Sequence, residues 1–312
     1  MQRSIAPLIL LMCVGCDSQP TAQCARDTDC PAGQRCADAI CSPVVKADTG
    51  PLADRGPTPA DWRATEAAAF PDLSGKDGGQ CPANHDDKID RAEMPIAVGA
   101  KIHYSVGSGI VVDLKGKLVS GRTQWDLTAP ASDDHPVVSE LLAVPAWASS
   151  TYPGATYSAL LDESYGSYGV FKATPSALQL IGVVSKDADK IKLSYSKPIE
   201  MLRFPITPSD SFVTDATVTG WMNLLYIWNL ETYTVDVLAA GDLVLPKLTL
   251  PAVLVRVKIE QTPVQNPFLA TTRHLFMFIS GCYGIVAQIV ADEDPKDKLE
   301  AVKAKERRRL SM

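Results

Sequence analysis

The chain has 312 residues, and its 30 Lys and Arg residues against 36 Asp and Glu residues give a formal net charge of −6 at pH 7. This mildly acidic balance argues against a nucleic-acid partner, which selects a basic surface. The length allows one large domain or two small ones, so the organisation must be worked out along the chain.

Residues 1–15 have the pattern of a secretory signal peptide. Arg3 supplies the positive charge, and the apolar run Ile5–Val14 is too short for a membrane-spanning helix of about 20 residues. The following Cys13-Val14-Gly15-Cys16 resembles a bacterial lipobox, with Cys in the place where Leu is usual. We therefore expect cleavage before Cys16 and lipidation of Cys16 through a diacylglycerol thioether. An ordinary cleaved signal without a lipid is the alternative.

Six cysteines remain once Cys13 leaves with the signal and Cys16 carries the lipid. An even number in an exported chain indicates a disulfide framework. Its members are Cys24, Cys30, Cys36, Cys41, Cys81 and Cys282. The first four lie in residues 16–41, which cannot bury a core and must be held by cross-links. Their three possible pairings stay open, and zinc is a competing interpretation that lacks the usual paired C-x-x-C knuckles here. The two isolated cysteines, Cys81 and Cys282, are expected to pair.

Residues 42–80 have the composition of a disordered linker. Prolines and glycines are spread through it among many Ala, Asp and Thr residues. Without a periodic apolar pattern the segment cannot offset the entropy of ordering. As a flexible chain it would average roughly 35 Å from end to end. It is therefore interpreted as a tether between the lipidated end and a folded body.

Residues 81–294 show the alternation typical of antiparallel strands. Apolar and polar residues alternate in Thr232–Val237 and in Val255–Glu260, as they do in half-buried strands. Trp221–Trp228 and His274–Ile279 are apolar on both faces and are expected to lie centrally. Further strands are predicted at Lys101–Ser105, Ile110–Leu114, Lys117–Asp126, Tyr168–Lys172, Leu178–Val184, Ile191–Tyr195, Phe212–Val218 and Gly284–Val290. This recurrence predicts an all-β fold, either an antiparallel sandwich or a strongly curved sheet.

Several local features complete the secondary-structure prediction. Turns are predicted at Lys115-Gly116 and at Ala240-Gly241-Asp242, and a helical turn at Ser139–Ala143. Residues 295–312 form a charged C-terminal tail that is expected to be a solvated helix. The basic end of this tail, Arg307–Arg309, is expected to face solvent, with contact to an anionic surface as the alternative.

The segment Cys81–Glu93 resembles a calcium loop. Four oxygen donors fall at its ligand positions three, five, nine and twelve, namely Asn84, Asp86, Asp90 and Glu93. Pro82 stands in the place of the first ligand, and Asp87 in the place of the turn glycine. The alternative is a plain helix start, because Asp90 and Glu93 also have the spacing of a capping box. Calcium is the one cofactor that the sequence suggests.

No motif in the sequence fixes a catalytic activity. There is no nucleophile elbow, phosphate-binding loop or dinucleotide fingerprint. Asp162 and Glu163 are adjacent and would face opposite ways on a strand, so solvation explains them better than acid–base chemistry. No i, i+4 pair or metal cluster is formed by the histidines, which are His85, His103, His135 and His274.

Three aromatic residues, Trp221, Tyr226 and Trp228, have two interpretations. Aromatic residues in an apolar strand usually belong to the core, and this is the preferred interpretation. The alternative is an exposed platform on which a sugar ring stacks.

The order of these parts resembles a recurrent type of bacterial lipoprotein, functionally uncharacterised, with a lipobox, a short Cys-rich unit, a Pro-rich tether and a large all-β domain. Residues 24–36 match its C-x-x-D-x-D-C-P-x-G-x-x-C unit. Leu202–Phe212 is similar to a segment F-P-x-x-x-G-D at the start of a strand, with Ser209 in place of the glycine. Gly241–Val257 is similar to a hairpin with a Pro-x-Gly turn, in which Leu248 takes the glycine place. The resemblance supports the architecture and implies no substrate or catalytic residue.

Together these features predict a monomeric, lipid-anchored protein of the bacterial cell envelope, at the outer membrane. Because no acid, base or nucleophile clusters in the sequence, its role is expected to be binding or structural rather than enzymatic. The expected partners are the membrane, through the lipid anchor, and an envelope glycan, lipid or protein. The alternative is a hydrolase whose active site assembles from distant loops. Converging carboxylates or a His–Ser pair in a pocket would favour that alternative.

Overall fold

A computed structural model describes residues 34–37, 40–43, 86–162, 166–186, 190–295 and 299–311. The chain divides into two compact units, Met1–Thr65 and Glu66–Met312. In the first unit, Gln34–Ala37 (β1) pairs antiparallel with Ile40–Pro43 (β2), and Cys36 lies opposite Cys41 in the backbone register. The first two residues of the predicted linker, Ser42 and Pro43, belong to β2. The rest of the linker, the predicted signal peptide and the lipidation site lie outside the described residues and stay predictions.

Strands dominate the second unit, in agreement with the sequence pattern. Its first strands are Lys101–Gly107 (β3), Val111–Asp113 (β4), Lys117–Val119 (β5), Arg122–Asp126 (β6), His135–Glu140 (β7), Tyr157–Asp162 (β8) and Ser167–Ala173 (β9). The remaining strands are Ala177–Ser185 (β10), Ile191–Arg203 (β11), Ser211–Met222 (β12), Leu225–Val244 (β13), Thr249–Pro263 (β14), Thr271–Ser280 (β15), Gly284–Ala291 (β16) and Ala301–Leu310 (β17). In the described part of this unit they are accompanied by one short α-helix, Ala146–Ser149 (α1), and two 3-10 turns, Arg91–Glu93 and Pro267–Leu269.

Within the described ranges, no helix is both long and apolar enough to cross a membrane. The helical turn predicted at Ser139–Ala143 is wrong, because Ser139 pairs with Ile102 as part of β7. The β-branched Val137 and Val138 just before it favour the extended strand. The predicted strand Lys117–Asp126 is divided into β5 and β6 by a turn at Ser120-Gly121.

A single 15-stranded sheet forms the body of this unit. Its main path runs β7-β3-β17-β16-β15-β14-β13-β12-β11-β10-β9-β8, with β4, β5 and β6 attached beside it. Leu142, just after β7, and Ser158 in β8 exchange two backbone hydrogen bonds of 2.8 Å. Because these bonds bring the two edge strands together, the sheet is nearly closed. The predicted all-β fold with a strongly curved antiparallel sheet is confirmed.

Two hydrophobic cores lie on opposite sides of the sheet. Alternate residues such as Val235, Val255 and Met277 point inward and form the inner core. The outer core lies between the outward face of β13–β17 and the segment β4–β6. Its centre is Trp125, whose ring meets that of Phe278 edge to face at 5.3 Å.

The turn predicted at Ala240-Gly241-Asp242 is wrong, because β13 continues through it. Beyond the end of β12, the strand β6 pairs with β13 in parallel, and Thr123 lies opposite Gly241. A Cβ atom at Gly241 would lie 2.1 Å from the carbonyl oxygen of Thr123. The glycine therefore permits a close backbone approach inside a strand, which sequence reading interprets as a turn.

The solvated helix predicted for the C-terminal tail is also wrong. Residues Ala301–Leu310 form β17, which pairs with β16 and β3. Arg307 and Arg309 are buried, and both guanidinium groups donate hydrogen bonds to Asp134. A run of arginines is thus buried because a carboxylate compensates its charge.

The first described residues of the second unit meet the sheet at one end of its long strands. Ile89 and Ile206 exchange backbone hydrogen bonds of 3.2 Å and 2.9 Å. At the same end, the amide of Cys282 donates to the carbonyl oxygen of Glu93 over 2.7 Å. The β12–β13 turn and the β14–β15 loop lie at the opposite end of these strands.

Candidate functional site

The β12–β13 hairpin carries a row of apolar residues on the outward face of the sheet. Trp221 and Tyr226 face each other across the hairpin, with ring centroids 5.3 Å apart and planes inclined at 72°. Trp228 and Leu230 continue the row along β13, because alternate residues of a strand share a face. The four side chains are between 44% and 54% exposed.

Asn223 and Leu224 form the turn of this hairpin, at φ +48° and +70°. Positive φ at both central residues is the geometry of a two-residue type I′ turn. The amide of Asn223 donates to the carbonyl oxygen of Lys190 over 2.7 Å, which fixes the turn to the β10–β11 connection. Leu224 projects into solvent and is 87% exposed.

The loop between β14 and β15 lies beside the hairpin. The amide of Val264 donates to the carbonyl oxygen of Trp228 over 2.9 Å. In the 3-10 turn that follows, Phe268 is 97% exposed and Leu269 is also exposed. We call the apolar residues of these two connections the aromatic surface, namely Trp221, Leu224, Leu225, Tyr226, Trp228, Leu230, Phe268 and Leu269.

The prediction that Trp221–Trp228 forms a central strand is wrong. The turn at Asn223-Leu224 divides the segment, so it forms the end of a hairpin. The preferred interpretation of Trp221, Tyr226 and Trp228 as core residues is wrong for the same reason. Their exposure is what the platform alternative requires. By contrast, Phe276–Ile279 are buried in the sheet, as predicted.

The sequence around the aromatic surface contains no acidic residue in its two apolar connections. Neither Ala216–Leu230 nor Gln261–His274 contains Asp or Glu. Lys192 lies opposite Trp221 on β11, and Lys190 lies next to the turn. Both lysines are exposed. Two exposed lysines therefore lie beside the apolar connections.

A buried acid, Glu231, lies on the inward face of β13 and was missed by sequence reasoning. It is 6% exposed. Its carboxylate accepts a hydrogen bond from Tyr233 Oη at 2.8 Å and another from Gln261 Nε2 at 2.9 Å. Tyr195 Oη lies 3.4 Å from Tyr233 Oη and extends the network. Burial raises the pKa of Glu231, and the hydrogen bonds from the tyrosines and Gln261 oppose the rise.

Period-two alternation could have located this acid, because Glu231 shares its face with Tyr233 and Val235. Chemically, a carboxyl group with a raised pKa can donate a proton. Here the neighbouring hydroxyl and amide groups already donate to both of its oxygens. The described contacts are therefore those of a satisfied buried polar network.

The outward face of the same strands carries a second buried polar group. Arg256 donates two hydrogen bonds to Asp236 Oδ2, at 2.6 Å and 3.1 Å, and Ser211 Oγ donates to Oδ1 at 2.9 Å. His274 lies buried nearby, with Nε2 at 2.6 Å from Asp294 Oδ1. Burial lowers the pKa of His274, while Asp294 opposes the shift.

The other predicted site residues do not converge with these groups. His103 lies in β3, and His135 begins β7 with Nδ1 at 2.9 Å from the carbonyl oxygen of Asp133. Asp162 ends β8. His85 and Glu163 lie outside the described residues.

At the calcium-like segment, the capping-box alternative is confirmed. Glu93 Oε2 accepts a hydrogen bond from the amide of Asp90 at 2.7 Å, at the start of the 3-10 turn Arg91–Glu93. Asp86 accepts from the amide of Lys88 at 3.0 Å. Asn84 lies outside the described residues. Within the described ranges, no group of three or more His, Cys, Asp or Glu side chains is placed to hold a metal ion.

Cys282 is the one predicted disulfide residue in the described part of the second unit, and it is disulfide-bonded. Its predicted partner, Cys81, lies outside the described residues, so the pairing stays a prediction. The pairings of Cys24, Cys30, Cys36 and Cys41 stay predictions as well.

Comparisons with protein-family models, with curated proteins and with solved structures found no match to this chain. The site is therefore defined by its own geometry. That geometry brings together an exposed apolar surface at one end of the sheet and a buried polar network on the inward side of β13.

Proposed function

We propose that this chain is a lipid-anchored protein of the bacterial cell envelope that binds a partner through the aromatic surface rather than catalysing a reaction. The observation that supports binding is the exposure of Trp221, Tyr226 and Trp228 beside Leu224 and Phe268. Contiguous exposed apolar patches typically mark interaction sites. Trp and Tyr supply much of the binding energy in such sites, because each combines a large apolar area with a polar group.

The anchored part of the proposal is supported by the sequence alone. Cys16 follows a short apolar run and a small residue, and residues 42–80 have the composition of a tether. A lipidated Cys16 carrying several acyl chains would hold the protein firmly on a membrane. In the variant Cys16→Ser the protein should move from the membrane pellet to the soluble fraction. If the variant stays in the pellet, the lipobox interpretation is wrong.

The binding part is tested on the purified protein with separate pools of envelope glycans, lipids and envelope proteins. We expect saturable binding to one pool, weakened in Trp228→Ala by about 30-fold, as for a central interface aromatic. The matched control is Val111→Ala, which removes an exposed apolar side chain of β4, away from the aromatic surface. Equal losses in both variants, or no saturable binding, would contradict the assignment of the surface.

The hydrolase alternative has one structural candidate, Glu231, whose raised pKa suits a general acid. The same purified protein is therefore incubated with generic ester, glycoside and peptide substrates. The proposal expects no turnover. Turnover that is abolished by Glu231→Gln, or by another single Asp, Glu, Ser or His substitution, would replace binding with catalysis.

A further inference from the structure

We propose that the partner of the aromatic surface is the interfacial region of a phospholipid bilayer, into which the β12–β13 turn and the β14–β15 loop insert. This inference rests on the proposed function and names the partner of the same surface. Its evidence is the distribution of apolar, aromatic and charged residues along the two connections.

The most exposed apolar side chains lie on the two connections at this end of the sheet. Leu224 is 87% exposed and Phe268 is 97% exposed. Leu225 and Leu269, next to them in sequence, are also exposed. Leu and Phe favour the hydrocarbon side of a bilayer interface. A sugar ring stacks on aromatic faces, so a glycan alone would not account for the leucines of the turn.

The aromatic residues lie behind the turn. Trp221 lies opposite Tyr226 in the hairpin, and both are within three positions of Leu224 in the sequence. Trp228 lies further along β13, away from the turn. Trp and Tyr prefer the headgroup level of a bilayer, where the ring is apolar and its N–H or O–H stays hydrated. The order from leucine to aromatic residue along the hairpin matches the order from hydrocarbon to headgroup.

Two exposed lysines near the surface can attract anionic headgroups. Lys190 and Lys192 are exposed beside the hairpin, and its two apolar connections contain no acidic residue. Asp187 and Asp189 occur in the neighbouring β10–β11 connection, outside the described residues. Lysines thus contribute attraction to anionic lipid, while apolar insertion contributes most of the binding.

The test uses the full chain with Cys16→Ser, so that no lipid on Cys16 contributes. Binding is measured by cosedimentation with vesicles of phosphatidylcholine mixed with phosphatidylglycerol. In this background, Leu224→Asn with Phe268→Ser should bind the vesicles about tenfold more weakly or worse. Asn tolerates positive φ, so the turn is retained in the variant. The control is Leu118→Asn, which changes a leucine that is 78% exposed on β5.

A second measurement reports where the tryptophans lie. Brominated phosphatidylcholine should quench the emission of the parent, and the quenched fraction should fall in Trp228→Phe. Every variant carries the same N-terminal residues, so a difference between them reports the aromatic surface. Size-exclusion chromatography of the same samples shows whether a second copy of the chain occupies the surface.

The bilayer inference is overturned by absent vesicle binding, by equal binding of the double variant and the parent, or by a dimer that the double variant abolishes. Binding of soluble envelope glycan, lost in Trp228→Ala while vesicles stay unbound, would overturn the bilayer and keep the proposed binding function. Loss of every kind of binding would overturn both.

Discussion

The carboxylate of Asp134 accepts hydrogen bonds of 3.0 Å and 3.2 Å from Arg307, whose side chain has no exposed surface. Arg309 donates to the same carboxylate at 2.8 Å. Backbone carbonyl oxygens in Leu127–Ala129 accept further hydrogen bonds from the two guanidinium groups. One acid therefore forms ion pairs with two buried cations and fixes the β6–β7 loop to β17.

Replacing Asp134 should strongly destabilise the fold. In Asp134→Asn the two buried guanidinium groups lose their counter-charge, so the free energy of unfolding should fall by about 3–5 kcal/mol. Urea unfolding followed by circular dichroism measures this loss. The control is Asp133→Asn, because Asp133 binds the exposed Ser108 and should matter little. A small effect at both positions would contradict the compensation described.

The same ion pair predicts a loss of stability at acid pH. Burial opposes ionisation of Asp134, but the amide of Ala131 and the two arginines together hold its pKa below the usual value. The folded state thus binds fewer protons than the unfolded state. Stability from this group is present above the unfolded pKa of about 3.9 and is lost as the pH falls through the folded pKa. The parent should lose more stability than Asp134→Asn on acidification below about pH 4, measured by urea unfolding at each pH.

For Glu231 we expect the opposite dependence of the free energy of unfolding on pH. Its folded pKa is raised, so the folded state binds more protons than the unfolded state. Its contribution is full below the unfolded pKa of about 4.3 and is lost as the pH rises through the folded pKa. Glu231→Gln removes this loss, so the variant should gain stability relative to the parent as the pH increases. Urea unfolding of the parent and of Glu231→Gln at each pH measures this difference.

The backbone conformation of Ser209 leads us to expect that replacing it by glycine stabilises the fold. Ser209 has φ +76°, in the left-handed region that favours glycine. Ser209→Gly should raise the free energy of unfolding by roughly 0.5–1 kcal/mol, since relief of strain exceeds the added chain entropy. In the control Ser150→Gly, at φ −71°, stability should fall. The same direction at both sites would contradict this explanation. Leu248, at the other predicted glycine place, is not among the residues with positive φ.

Cys81 and Cys282 are predicted to form a disulfide that closes a loop of about 200 residues, for which chain entropy gives up to roughly 5 kcal/mol. The amide of Cys282 donates a hydrogen bond to the carbonyl oxygen of Glu93. Because Glu93 comes shortly after Cys81 in the sequence, this contact supports the pairing. Intact-mass analysis and peptide mapping without reductant should find the Cys81–Cys282 link. A different partner for Cys282 would refute the prediction.

Much of the strand content could be predicted where the two faces of a strand differ in polarity. Val255 and Val257 alternate with Arg256 and Lys258, and this alternation follows directly from the pleat. The turn at Asn223-Leu224 was missed because Leu224 gives no turn signal. Its positive φ becomes visible only in the folded chain.

The burial of Arg307 could not be predicted from its neighbours. Its partner Asp134 lies 173 positions earlier in the chain, and a local pattern of three arginines indicates a solvated segment. Gly241 was misread for a similar reason, because the backbone that approaches it belongs to β6. In both cases a distant segment determines the structure, and the local pattern contains no trace of it.

The position of Ile89, at the end of the sheet opposite the aromatic surface, has a mechanical consequence. From Leu225 to Ala240, β13 rises roughly 50 Å at about 3.3 Å per residue. If the N-terminus is tethered as proposed, a pull between the tether and a bound partner acts parallel to the strands. Such a load is applied in shear, and the cross-strand hydrogen bonds of β13 with β12 and β14 resist it together. The sheet would then resist a larger force than a hairpin pulled apart from one end, in which the hydrogen bonds break one after another.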